Sequence, residues 1–181
     1  MTELRYQLSE QDFLTYQLFV ASNSKSSRTS RRRARVVIPI LYTVFAVILL
    51  LMSFVVLAIV MAATAVLWFL LYPLYSRRRY RRHYARHIRE HYRQVIGRES
   101  TLTIADGHIL TRNEAGEGRT KLAEVEGIVE IADHVLIVLR SSATFVLPKQ
   151  QIDDAQLREV LRVISEATEL PVQQRLDWKW R

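Results

Sequence analysis

VVIPILYTVFAVILLLMSFVVLAIVMAATAVLWFLLYPLY, Val36–Tyr75, is forty residues without a charged side chain. As one helix it would run roughly 60 Å at about 1.5 Å per residue, about twice the roughly 30 Å hydrocarbon core of a bilayer. The stretch therefore reads as two crossings, a transmembrane helical hairpin. Met52-Ser53-Phe54 is the expected bend, because it leaves about nineteen residues on each side, close to the roughly twenty that a span needs. No Gly, Pro or Asn between Leu49 and Ala58 marks a turn. The rival, one continuous tilted helix, would put the two basic flanks on opposite sides of the membrane.

Those flanks are Arg31, Arg32, Arg33 and Arg35 before the stretch, and Arg77, Arg78, Arg79, Arg81 and Arg82 after it. The positive-inside bias assigns both to the cytoplasm. The expected address is a bacterial inner (cytoplasmic) membrane, multi-pass, with both termini cytoplasmic. A cleaved signal is excluded by a run far longer than the roughly 7 to 15 residues of an h-region. Ala58, Ala62 and Ala65 are candidates for a small-residue seam where the two helices approach. The absence of charge within the spans argues against an ion or proton pathway.

The net charge of +8 and the pI near 10.1 suggest nucleic acid until the charge is divided along the chain. Residues 1–24 carry −2, 25–35 carry +6, 36–75 none, 76–98 carry +8 and 99–181 carry −4. The basicity is juxtamembrane, which fits attraction to anionic headgroups, and the acidic remainder shows no nucleic-acid motif. No cysteine is present, which removes disulfides, thiolate metal sites and a thiol nucleophile.

Six segments are expected. Residues 1–24 hold a short strand, Leu4–Leu8, and a helix from about Ser9 to Ala21. Ser9 and Asp12 have capping-box spacing there. Residues 25–35 are a basic linker, within a polar stretch that begins at Asn23, and residues 36–75 are the hairpin. Residues 76–98 extend the second helix, with Tyr80, Tyr84, Ile88 and Tyr92 in one stripe and His83, His87 and His91 in another. Three His over two turns diverge too far to share one ion, so the His stripe reads as a solvated face and no metal is assigned.

Residues 99–168 change to strand periodicity. Ser100–Ala105 and His108–Arg112 flank Asp106-Gly107, a two-residue hairpin turn. A loop over Asn113–Gly118 leads to strands at Thr120–Val125 and over GIVEIA. A turn at Asp133-His134 follows, then VLIVLR, a turn at Ser141-Ser142 and a strand at Thr144–Leu147. Asp153 caps a last amphipathic helix running to about Thr168, with Leu157, Val160, Leu161 and Ile164 on its apolar face. Residues 169–181 form a tail in which Leu176, Trp178 and Trp180 alternate with polar residues. The fold class is an α+β membrane protein: a two-helix hairpin plus a small antiparallel sheet closed by a C-terminal helix. The apolar side of Leu4–Val20 is expected to serve that sheet as an extra strand and helix.

LSEQDFLTYQLF at Leu8–Phe19, Ser24-Lys25 after it, the basic-flanked hairpin and FVLPKQQI at Phe145–Ile152 occur in an order that resembles the YcxB-like family of bacterial membrane proteins. The resemblance implies a pleckstrin-homology-like C-terminal domain, a bent antiparallel sheet capped by a helix, and it brings no catalytic residues. Members often place a Trp where Leu122 stands and an aromatic where Ile152 stands.

No catalytic constellation stands out. Asp133-His134 is read as an exposed turn, Asp153-Asp154 as a helix cap, and Pro148-Lys149 as a sheet edge where Lys149 is a candidate phosphate or partner contact. Trp178 and Trp180, beside Lys179 and Arg181, are candidate interfacial contacts with lipid or a partner. The sequence thus points to a non-enzymatic inner-membrane protein. It would bind anionic headgroups and a protein partner or a second copy, with no cofactor and no nucleic acid. The alternative is an immunity-type or regulatory subunit whose hairpin packs on another membrane protein such as a pore-forming toxin.

Overall fold

The computed structural model describes residues 3–91, 96–114 and 116–180, apart from the side chains of residues 25–28 and 91. The chain forms two compact units, Met1–Tyr16 with Ala85–Lys179 and Gln17–Tyr84 with Trp180–Arg181. Its architecture is α+β, as expected: a strand, three helices, six strands, a helix and a last strand.

The helical unit is built on α2 (Lys25–Leu51) and α3 (Val55–His91), both long and apolar enough to cross a membrane. They are joined at Met52-Ser53-Phe54, as expected. The Phe54 N–H donates to the Leu49 carbonyl at 2.9 Å and the Ser53 N–H to the Leu50 carbonyl at 3.0 Å. This is the paired C-terminal motif in which one residue turns left-handed, here Ser53 at φ 66°. Glycine usually takes that position, which is why no sequence punctuation marked the bend.

Apart from Val20 and Leu176, every exposed large apolar side chain among the described residues lies between Val36 and Tyr75. The residues the helical unit buries in this stretch are small: Ala46, Ala58 and Ala65. Ala62 is exposed, a correction to the expected seam. At about 100° per residue it falls about 60° round the helix from Ala65, and the inward face runs instead through half-buried Met61, Trp68 and Tyr72. The basic linker expected over residues 25–35 is also corrected. With no Gly or Pro to stop it, the chain is helical from Lys25, and only Ser24 separates α2 from α1 (Glu10–Asn23).

In the other unit, β1 (Glu3–Gln7) pairs antiparallel with β2 (Glu99–Ala105), in register from Glu3 opposite Thr103 to Gln7 opposite Glu99. The Gly97 N–H closes the pair on the Leu8 carbonyl at 2.9 Å. The hairpin is thus inserted in sequence between two neighbouring strands of one sheet. β3 (His108–Asn113) and β4 (Gly116–Lys121) complete the order β1-β2-β3-β4. Asp106 and Gly107 make the first turn with φ of 49° and 71°, the left-handed pair that a two-residue hairpin requires. The loop expected over Asn113–Gly118 is shorter, because Gly116–Gly118 belong to β4.

A 3₁₀ turn at Leu122–Glu124 splits the strand expected at Thr120–Val125 and passes the chain to a second sheet. That sheet has the order β7-β6-β5-β8, from β5 (Val125–Ile131), β6 (His134–Leu139), β7 (Thr144–Pro148) and β8 (Val172–Arg175). β8 was read as tail. It pairs parallel to β5, with Val172 opposite Ile128, after α4 (Asp154–Thr168) ends on Glu169 in the left-handed conformation.

One core gathers residues from both sheets and from α4, among them Leu4, Leu102, Ile109, Ile128, Ile137, Leu157 and Ile164. Leu122 and Ile152 are both buried in it. On the second sheet the alternate residues Val129, Ile131, Leu136 and Val146 are buried too. Burial on both faces explains why β6 reads HVLIVL without alternation.

Candidate functional site at the basic end of the hairpin

Two prolines mark the level at which the helices turn from apolar to basic, Pro39 in α2 and Pro73 in α3. Neither has an N–H, so the carbonyls of Arg35 and Phe69, four residues earlier, lose their helical donors. The same two residues meet through their side chains: the Arg35 guanidinium lies 4.4 Å above the centre of the Phe69 ring. A cation over an aromatic face keeps favourable electrostatics where water is sparse. The Trp68 indole N–H donates to the Ala34 carbonyl at 3.4 Å, and the Trp68 and Tyr72 rings sit 5.7 Å apart. Aromatic and amide groups thus tie α2 to α3 here.

Between the two helices lies a cleft of about 350 Å³ lined by Arg31, Arg32, Arg35, Tyr72, Pro73, Ser76 and Arg77. Ser76 is 5% exposed, and its hydroxyl has no hydrogen-bond partner, nor has the Arg35 Nε. Ser76 also borders a second cleft of about 540 Å³, lined in part by Ser30, Arg79, Tyr80 and His83. Nothing in the chain from Phe13 to Arg89 is acidic, so neither helix carries a carboxylate near the cleft in sequence, the first being Glu90 near the end of α3. Arg31 adds a cation–π cluster, its guanidinium 4.7 Å from the Trp180 ring and 5.6 Å from Tyr80. Trp180 and Tyr80 are themselves 6.0 Å apart.

The other expected site residues are distributed differently. Arg78, Arg79, Arg81 and Arg82 are exposed along α3, as are Arg32 and Arg33 on α2. Lys149, a candidate phosphate contact, is instead bound to a carboxylate of its own domain. Its Nζ is 2.7 Å from Glu130, which is 2% exposed and also takes two bonds from Arg158 at 3.2 and 3.3 Å. Burial pushes the Glu130 carboxyl up, the bonds from Lys149 and Arg158 outweigh that, and its pKa ends below the ordinary value. Trp180 packs on Arg31 and Tyr80, and Trp178 is half-buried beside β8, its N–H donating to the Arg175 carbonyl at 3.0 Å.

His134 is the largest departure. Expected in an exposed turn, it is the first residue of β6 and 5% exposed, with Nε2 2.7 Å from Asp12 Oδ1 and Nδ1 buried without a partner. The turn is one residue earlier than expected, and Asp12 of α1 meets the imidazole there. Asp12 is fixed by the expected capping box, its Oδ2 accepting from the Ser9 N–H at 2.8 Å and the Ser9 hydroxyl at 2.7 Å. Burial raises the Asp12 pKa, and the Ser9 and His134 bonds bring it below its usual value. Asp153 caps α4 as read, accepting from the Gln156 N–H at 3.1 Å.

His83 lies edge-on to Tyr84 at 5.6 Å, and Tyr80 and Tyr84 are 6.2 Å apart. Tyr92 and Arg181 lie outside the described residues. Among the described residues no group of three His, Cys, Asp or Glu could hold a metal ion.

Ser76, Phe69 and the Asp12–His134 pair were not singled out as site residues. The lack of any acid from Phe13 to Arg89 was the one available signal for the first, and nothing local signals the pair. Glu130 was legible in principle, as a charge set between Val129 and Ile131 in an apolar strand. Residues 104–164, from the end of β2 through most of α4, match the family model described as YcxB-like protein. No curated protein and no solved structure matches the chain.

Proposed function

With its residues 104–164 YcxB-like, the chain is one we propose to be a non-enzymatic inner-membrane protein. On this reading the hairpin is the anchor, and the β domain, held at the cytoplasmic face, is a pleckstrin-homology-like binding surface for a protein or a lipid headgroup. The observation that carries it is the β1–β2 pairing. The strand before the hairpin and the strand after it lie side by side, so both flanks of the hairpin must be on one side of any membrane that it crosses. The arginines flanking the apolar stretch on both helices favour the cytoplasm for that side. Four strands, then three, then a helix over the shared core support the pleckstrin-homology-like reading, with β8 added as a further strand beside β5.

A second reading, an immunity-type or regulatory subunit, is favoured by Ala62 and Ala63, which are exposed on α3 between Met61 and Thr64. Small residues on an outward face let another membrane helix approach closely. Affinity purification of the full chain in mild detergent tests both, alongside a version with residues 36–75 replaced by an unrelated hairpin. A partner retained by both versions supports the binding domain. One lost with the replacement supports the intramembrane reading, and lipid turnover by purified protein without a partner overturns both.

A further inference from the structure

The geometry points to the cleft between α2 and α3 as a binding site for the phosphate of one anionic membrane lipid, with Ser76 Oγ and Arg35 Nε as its hydrogen-bond donors. This rests on the reading of α2 and α3 as membrane spans. Both donors are buried and unpartnered, although a serine hydroxyl and a guanidinium N–H so placed ordinarily find an acceptor. Their common deficit is an acceptor, and the charge around them specifies an anionic one. Arg31, Arg32 and Arg77 share the cleft, and no acidic residue lies on either helix before Glu90. Phosphate meets both demands, since it offers several acceptor oxygens and suits guanidinium geometry.

The cleft's position makes the phosphate that of a lipid. Arg35 immediately precedes Val36 and Ser76 immediately follows Tyr75, so the donors stand at the edge of the apolar layer. On the same face, an apolar groove of about 470 Å³ runs along α2 past Val36, Pro39, Thr43 and Val47 and is closed by Phe69, the ring beneath the Arg35 guanidinium. A headgroup in the cleft would lead its acyl chain directly into that groove. Basic recesses between helices at a membrane edge suit phospholipid headgroups on electrostatic grounds.

The test is native mass spectrometry of the full chain released from detergent, titrated with phosphatidylglycerol, with phosphatidylcholine and with inorganic phosphate. The unchanged chain should bind one phosphatidylglycerol in preference to phosphatidylcholine, and millimolar inorganic phosphate should not displace it. Ser76→Ala with Arg35→Lys keeps the charge but removes the hydroxyl and the Nε donor, and should weaken that lipid about 10- to 100-fold. Arg81→Lys, outside the cleft, should leave it unchanged. Each single variant is read beside the pair, with helical circular dichroism confirming the fold. Equal binding of the two lipids, unchanged affinity in the double variant, or displacement by inorganic phosphate would each overturn the proposal. Failure of the underlying membrane reading looks different, since the chain would then not enter the membrane fraction or lipid nanodiscs at all.

Discussion

Replacing Glu130 by Gln isolates the charge of a buried carboxylate without changing its volume. Three bonds converge on it, from Lys149 Nζ at 2.7 Å and from Arg158 at 3.2 and 3.3 Å. Breaking a buried ion pair costs about 3–5 kcal/mol when the orphaned charge cannot reach water. Here the orphans are cations at the rim, with side-chain exposures of 21% for Lys149 and 53% for Arg158, so water recovers part of the loss. The expected cost is about 2–3 kcal/mol, mostly from the Lys149 bond, because the half-exposed Arg158 pair is screened. Lys149→Met should cost no less, since it strands the carboxylate, which is 3% exposed, with Arg158 alone. Hydrogen exchange on the full chain in detergent micelles reads this out as roughly 30- to 150-fold lower protection of amides in β5, β6 and α4. The pH dependence supplies a second check. The folded pKa of Glu130 is lowered, so its contribution is present above the unfolded value and is lost as pH falls through the folded one. The deficit of Glu130→Gln should therefore be full at pH 7 and fade in the acid range below about 4. Equal protection at pH 7, or a deficit unchanged at pH 3, would refute the assignment.

Leu4→Ala empties a fully buried position in β1 and should cost about 2–5 kcal/mol, lowering hydrogen-exchange protection in β2, whereas Leu57→Ala on the exposed face of α3 should leave the domain unaffected. Asp12→Asn should cost about 1–2 kcal/mol at neutral pH, and the difference from the unchanged chain in urea unfolding should vanish as pH falls through the lowered Asp12 pKa. Ser53→Gly should raise resistance to detergent-induced unfolding by about 1 kcal/mol, and Ser53→Val should lower it, because φ at this position is 66°. Reporters inserted at Lys25 and fused after the last residue should both signal cytoplasmic; an external signal at either would count against the proposed hairpin topology.

The features legible in the sequence are those in which one short stretch contains both the cause and the effect. Forty uncharged residues specify their own solvent, and halving them located the bend although Ser53 gives no glycine signal. Ser9 with Asp12, Asp106 with Gly107, and Asp153 ahead of Leu157 each place donor and acceptor, or turn and strand, within a few residues. Their elements were found at nearly the right bounds. Where a boundary depended on a neighbour, the reading slipped. The polar stretch after Asn23 is helix because α2 continues through it, and Gly116–Gly118 is strand because β3 offers it a ladder.

What the sequence by itself determined is therefore the hairpin, the change from helix to strand at residue 99, the capped last helix and the charge at both ends of the apolar stretch. Tertiary structure alone decided which distant residues meet. It paired β1 with β2 across the whole hairpin, laid Val172 parallel to Ile128, set Asp12 against His134, turned Lys149 inward onto Glu130, and left Ser76 Oγ and Arg35 Nε without acceptors. A side chain's partner is chosen by which surfaces the packed chain brings within 3 Å or so, and no local pattern encodes that choice, since a polar side chain of one type is found both solvated and paired.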